Sequence, residues 1–332
     1  MAYIDSNLND PEEHFKTVIF TGDGTDNRAI TVGFQPNITW VRQRTDDSGG
    51  YLVDSTRGNN AALQTTNTNA QGTFASMTFT STGITVSGNE NLNNENAHNY
   101  VSWHWKESST AGIDVVEYTG NGSADRSISH SLGTEPDFII AKIHSETMNW
   151  PTYSKAMGNG VQFLDITDAW TDHSSYLNYW YTSGMSSSNF GIGDNDNTNK
   201  NTATVISYLF SNRQGFSKFA KYTGNGNADG PFVYTGFRPA WVMIKRTDTA
   251  NDWNIQDSKR TDYNGKQTTS LQANTVSNES TVGTDFRRDI LSNGFKIRNN
   301  GAETNASGGT YVYLAFAEAP FVNSNGVPCN AR

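Results

Sequence analysis

The phrase Phe20-Thr21-Gly22-Asp23-Gly24 returns as Tyr118-Thr119-Gly120-Asn121-Gly122 and again as Tyr222-Thr223-Gly224-Asn225-Gly226. Each copy is followed by a similar tail. Gly33-Phe34-Gln35-Pro36 precedes Trp40-Val41, Leu132-Gly133-Thr134-Glu135-Pro136 precedes Phe138-Ile139-Ile140, and Gly236-Phe237-Arg238-Pro239 precedes Trp241-Val242. The copies lie about 100 residues apart, far beyond the ~20–50 residues of a solenoid unit. The chain therefore reads as three related domains at 1–108, 113–213 and 217–321, with a tail at 322–332. The linkers are short, which predicts repeats that are packed closely or strung as a stiff rod.

Within each repeat, strands are expected before the glycine turn (17–20, 115–118, 218–222) and after it (28–32, 127–130, 231–234). A third, the most apolar, follows the proline, which suits a strand start because it lacks the ladder N–H. Further strands begin at Tyr51, Trp150 and Trp253, run near Leu63, Phe163 and Leu271, and include 83–86, 190–193 and 294–297. Closing strands follow at 100–105, 205–210 and 311–316. Two glycines flanking Asp or Asn permit positive φ on either side, as a tight turn needs. Short strands, frequent turns and no helical periodicity predict an all-β chain: three antiparallel β-sandwiches of jelly-roll or lectin-like type.

Apolar residues make up only 35% of the 332, yet aromatics reach 12% with eight tryptophans, so thin cores built on large rings are expected rather than disorder. Trp40, Trp103, Trp150, Trp241 and Trp253 are predicted as core rings at equivalent strand positions, each repeat folding about its own set. A net charge of −9 without a basic stretch argues against nucleic acid, whose phosphates attract Lys and Arg. Cys329, the lone cysteine, cannot close an intrachain disulfide. Residues 1–10 lack a signal-peptide pattern and no stretch reaches the ~20 apolar residues of a membrane span, so a soluble protein made in a cytoplasm is expected.

The glycine turns, the run Thr235-Gly236-Phe237-Arg238-Pro239-Ala240-Trp241-Val242-Met243-Ile244-Lys245-Arg246, the segment Leu291-Ser292-Asn293-Gly294-Phe295-Lys296 and the ending Ala315-Phe316-Ala317-Glu318-Ala319-Pro320-Phe321 together resemble a family of tandem-repeat proteins of tailed bacteriophages, especially marine ones. The likeness covers nearly the whole chain. It implies a virion structural protein on the particle exterior: a fibre, spike or appendage subunit contacting the host surface, with glycans as candidate ligands. The alternatives are a capsid decoration or connector protein and, ranked last, a polysaccharide depolymerase. Other virion proteins and further copies of the chain are the partners implied, and no catalytic residue or cofactor carries over.

The residues offer little to catalysis. No Gly-x-Ser-x-Gly elbow occurs, the glycine turns Gly22, Gly24, Gly120, Gly122, Gly224 and Gly226 lack the helix and Lys of a phosphate cradle, and the six histidines show no zinc spacing. His104, between Trp103 and Trp105, is expected to face solvent or an interface. Asp194 and Asp196 open a run like a calcium loop, but the Gly and Glu of an EF-hand are missing. Asp165, Asp257 and Glu318 are the acids a glycosidase could pair, although acids at strand ends are usually solvated or capping, so no enzyme is expected. Sugar binding asks for flat rings among amides and hydroxyls. Trp170, Tyr176, Tyr179 and Tyr181, in the long loop of the second repeat, are the glycan candidates, with Trp180 expected in the core. The Asn-rich loops 91–99, 195–201 and 299–305 are expected at one end of each sandwich as recognition loops.

Overall fold

The computed structural model describes residues 8, 10–73, 76–88, 91–172, 178–260, 269–281 and 286–319. Each repeat builds a large antiparallel sheet in one order. In the first, Phe15–Thr21 pairs with Asn99–Trp105, then come Ile38–Gln43, Gly50–Asp54 and Ala62–Gln64. The second runs Ile113–Thr119, Thr204–Phe210, Phe138–Ile143, Pro151–Ser154, Gly160–Phe163 and Thr171–Asp172. The third runs Ser217–Thr223, Thr310–Phe316, Trp241–Arg246, Trp253–Asp257, Thr269–Gln272 and Ser280–Thr281.

A smaller sheet covers one face of each. It contains Arg28–Thr31, Gly83–Val86 and Met77–Thr80 in the first repeat, Arg126–Ser129 and Asn189–Ile192 in the second, and Phe232–Tyr234, Gly294–Ile297 and Arg288–Leu291 in the third. The chain is all-β, of the antiparallel sandwich class. The strands Met77–Thr80 and Arg288–Leu291, too short and polar to stand out in the sequence, complete two of the small sheets.

Three apolar clusters lie between large and small sheets, one per repeat. A fourth is shared. Trp40, Trp103 and Trp105 meet Ile140, Trp150 and Phe210 and also Trp241, Trp253 and Phe316 in one continuous cluster. The large sheets are thus buried on both faces, so the third strands Ile38–Gln43 and Phe138–Ile143 are buried at every residue. This corrects the expectation that each repeat folds about its own rings alone, and it excludes a rod.

The five core tryptophans are buried as expected. Their predicted equivalence fails, because only Trp150 and Trp253 share a register position. Trp40 stands opposite Trp103 where the other repeats place Ile140 opposite Tyr208 and Met243 opposite Leu314, whereas Trp241 pairs with Phe316 two residues along. Close packing around one axis leaves room for few indoles at any level, so different repeats supply the large ring at different heights.

The three seams use the same bonds. Gln71 N donates to His144 O and Met148 N to Thr68 O, joining repeats one and two at 2.8 and 2.9 Å. Trp170 N to Thr247 O and Asn251 N to Thr167 O, both 2.9 Å, join two and three. Glu279 N to Arg44 O and Gly49 N to Val276 O, both 3.1 Å, join three back to one. The repeats therefore close into a ring.

A buried cation latches each seam from the end of the third strand. Lys142 donates to Thr68 O at 2.9 Å and Lys245 to Thr167 O at 2.8 Å, while Arg42 reaches Thr275 O at 2.7 Å and Ser277 O at 2.9 Å. Burial pushes both lysines down to about 8. Where the other repeats set Trp150 and Trp253, the first has Gly50, and a Cβ there would come 2.1 Å from Arg42 Cδ. The longer arginine occupies the space of the missing indole.

Candidate interaction surfaces

The recurring glycine turn is explained by a buried asparagine. Asn94, Asn199 and Asn305 have no exposed surface. Their Oδ1 atoms accept the backbone N–H of Asp23, Asn121 and Asn225 at 3.3, 3.0 and 2.8 Å, and their Nδ2 atoms donate to Thr25, Ser123 and Asn227 carbonyls. A Cβ on Gly22, Gly120 or Gly224 would come 2.0, 2.1 or 2.3 Å from a carbonyl oxygen of that loop. Gly24, Gly122 and Gly226 carry φ of 68 to 69°. The Asn-rich loops thus turn their central amides inward to clamp the turn. A buried unsatisfied amide would cost about 1–3 kcal/mol, so these positions serve folding.

The predicted glycan rings are not brought together. Tyr179 is buried against Phe163, ring centroids 5.6 Å apart, inside the second sandwich. Trp170 lies half-buried at the seam with the third repeat, its ring over Gly160, and Tyr181 is half-buried beside Gly184. Tyr176 lies outside the described residues, as do His173 and Cys329. Trp180 is in the core as expected. The described part of the long loop supplies strand pairing and core.

Asp194 and Asp196 are exposed at a helical turn, Asp196–Asn199, that the Asn195 side chain caps. Among the described residues no group of three His, Cys, Asp or Glu is placed to hold a metal ion. His104 is wholly buried, correcting its expected outward position. It bonds Thr39 Oγ1 at 3.0 Å and Ser102 Oγ at 2.8 Å, and burial pushes its pKa down to about 3.

The candidate acids occupy three separate settings. Asp165 accepts Trp150 N and Asn149 Nδ2, both at 2.9 Å. Asp257 pairs with Arg260 at 2.5 Å and accepts Trp103 Nε1 at 3.1 Å across a seam. Glu318, almost fully buried, pairs with Lys16 at 3.4 Å and Lys259 at 3.1 Å beside a cleft of about 380 Å³ that also takes in Glu12 and Arg238. That cleft lies where the first repeat begins and the third ends, so Glu318 ties the two together.

A different pair of carboxyls meets where the first repeat enters the second. Asp114, buried, accepts Ser131 Oγ at 2.9 Å. Burial, then a hydrogen bond with Asp114 and repulsion from Asp114 and Asp54, push Glu107 from 4.5 up to about 7. The folded state holds that proton more tightly than the unfolded chain. Its contribution is full below 4.5 and is lost as pH rises through 7. Glu107→Gln is therefore expected to leave the melting temperature nearly unchanged at pH 4 and raise it at pH 8. An equal effect at both pH values would refute the shared proton.

The exposed rings lie elsewhere. Phe232 and Tyr234, on the edge strand of the third small sheet, are 45% and 63% exposed. They flank Val233, which points into the third sandwich cluster. The strand register places them opposite Lys296 and Gly294. The first repeat has Ala29 and Thr31 at these places and the second Ser127 and Ser129. Sequence patterning missed the pair because alternation with a core valine reads as an ordinary half-buried strand.

These features define a closed ring of three all-β repeats joined by three equivalent seams. The chain belongs to the domain family of unknown function DUF7483, whose profile matches residues 10–320, across all three repeats as one unit. No curated protein and no solved structure matches it. Among the described residues no helix is long and apolar enough to cross a membrane.

Proposed function

We propose that this chain is a structural protein on the exterior of a tailed-bacteriophage particle, a fibre, spike or appendage subunit that contacts the host surface. The observation that carries the proposal is ring closure within one chain. Three equivalent seams, each with two backbone bonds and a buried cation, give a rigid body with threefold character and no need of a partner to complete its core. The resemblance of the repeat motifs to phage tandem-repeat proteins supplies the setting. A second reading, capsid decoration, draws on the same geometry, because a threefold outline suits a threefold position on a shell. Depolymerase activity gains no support from Asp165, Asp257 and Glu318, each engaged in its own structural bonds.

Immunogold labelling of purified particles of the encoding phage tests the proposal. Label on tail appendages is expected. Label on the shell would favour decoration, and particles that lack the chain by mass spectrometry would overturn both.

A further inference from the structure

We propose that the outer face of the third repeat's small sheet binds a neutral saccharide chain, with Phe232 and Tyr234 as stacking rings. The proposal rests on the host-contacting role above and gives it a site. Residues i and i+2 of one strand lie about 7 Å apart along the backbone and project from the same face, so the two rings can each meet a different sugar unit of one chain. Gly294 completes the floor. A Cβ there would come 2.1 Å from Val233 O and 3.0 and 3.1 Å from Phe232 ring atoms, so the glycine lets the strands close up and leaves room for that ring. Leu291, paired with Gly294, extends the apolar surface on the far side.

The rim decides the ligand's charge. Lys296 pairs with Asp229 at 2.9 Å, and Arg298 pairs with Asp289 at 2.5 Å and with Asp229 at 3.3 Å. Two cations and two carboxylates cancel, so the face exerts no net pull on an acidic polymer, yet offers donors and acceptors to hydroxyl groups. Apolar ring faces inside a neutral polar rim match the two surfaces of a hexose, its C–H face and its hydroxyl edge. Size argues against a protein partner. At 45% and 63% exposure the two rings present roughly 200 Å² of the 150–250 Å² that each aromatic can bury, against the ≈800 Å² per partner of a stable protein interface. The face is also particular to the third repeat, since Ala29, Thr31, Ser127 and Ser129 give the other two no rings at these positions.

Titration calorimetry of the whole chain with maltohexaose, cellohexaose and mannohexaose, and with an oligogalacturonate as acidic control, tests the site. Binding of at least one neutral hexasaccharide is expected. It should weaken at least about tenfold, 1.4 kcal/mol, in Phe232→Ala/Tyr234→Ala, whose melting temperature should stay near that of the parent because both rings are exposed. Phe232→Trp/Tyr234→Trp should keep the binding. No binding of any neutral probe, binding untouched by the double alanine change, or preference for the acidic control overturns the proposal. So does a virion protein that is captured by the parent and lost with the double variant. Loss of saccharide binding in the variant, together with particles that lack the chain, would keep the site and remove the virion role. Labelled particles with no saccharide binding would do the reverse.

Discussion

Replacing Phe316 with alanine should lower stability by about 3–5 kcal/mol, the usual cost of emptying a large aromatic site in a packed core, and should do so for all three repeats together. The Phe316 ring lies within 6 Å, centroid to centroid, of Phe15 and Trp105 from the first repeat, Phe210 from the second, Phe216 from the linker, and Phe219 and Trp241 from the third. A cavity there removes contacts from every sheet at once. In urea, tryptophan fluorescence and far-ultraviolet circular dichroism should report one coincident transition, displaced as a whole. The opposite result, with most of the signal melting as in the parent and only a third of it shifted, would mean that the repeats are independent and the shared axial cluster contributes little.

The second large effect concerns the first seam. Tyr208 of the second repeat donates its hydroxyl to Asp54 at 2.7 Å, and Arg57 pairs with the same carboxylate at 2.6 Å, with both charged side chains excluded from solvent. The seam between third and first repeats has the counterpart set Asp257, Arg260 and Trp103. At the corresponding places the second repeat has Ser154 and Met157, and the third has Leu314, an apolar version of the site. The molecule thus carries its own comparison of a buried ion pair with an apolar substitute. Asp54→Ser alone strands the guanidinium and the phenol and should cost about 3–5 kcal/mol. Adding Arg57→Met and Tyr208→Phe removes the guanidinium and the phenol that the single change strands and should recover more than half of that loss, since exchanging a whole buried ion pair for apolar groups is often neutral or better. Urea midpoints of the single and triple variants check this. A triple variant no more stable than the single one would mean that the ion pair specifies the seam and not merely that its halves cannot be separated.

Much of the strand plan was legible because it is local. Strands 83–86 and 294–297 fall where the sequence places them, and most others agree to within two residues, since alternation, proline and paired glycines are properties of neighbours along the chain. The glycine turns were legible as turns for the same reason. Their asparagine clamps were not, because Asn94 lies 71 residues from the Asp23 amide it accepts. The site candidates fared worst. Tyr179 and Phe232 both alternate with apolar neighbours, and nothing local says that the first is covered by Phe163 while the second meets solvent.

By itself the sequence determined the threefold repetition, the all-β class and the turn that marks each copy, because these rest on spacing and on backbone conformation. Only the tertiary structure decided that the copies close into a ring. That closure depends on which face of each large sheet finds a partner, and a face buried against its own small sheet and a face buried against two neighbouring repeats ask for the same apolar residues. The buried cations Arg42, Lys142 and Lys245 carry the difference. Alone in a strand each reads as a solvated charge, and a carbonyl of the neighbouring repeat, joined by Met148 O for Lys142 and Asn251 O for Lys245, makes its burial tolerable.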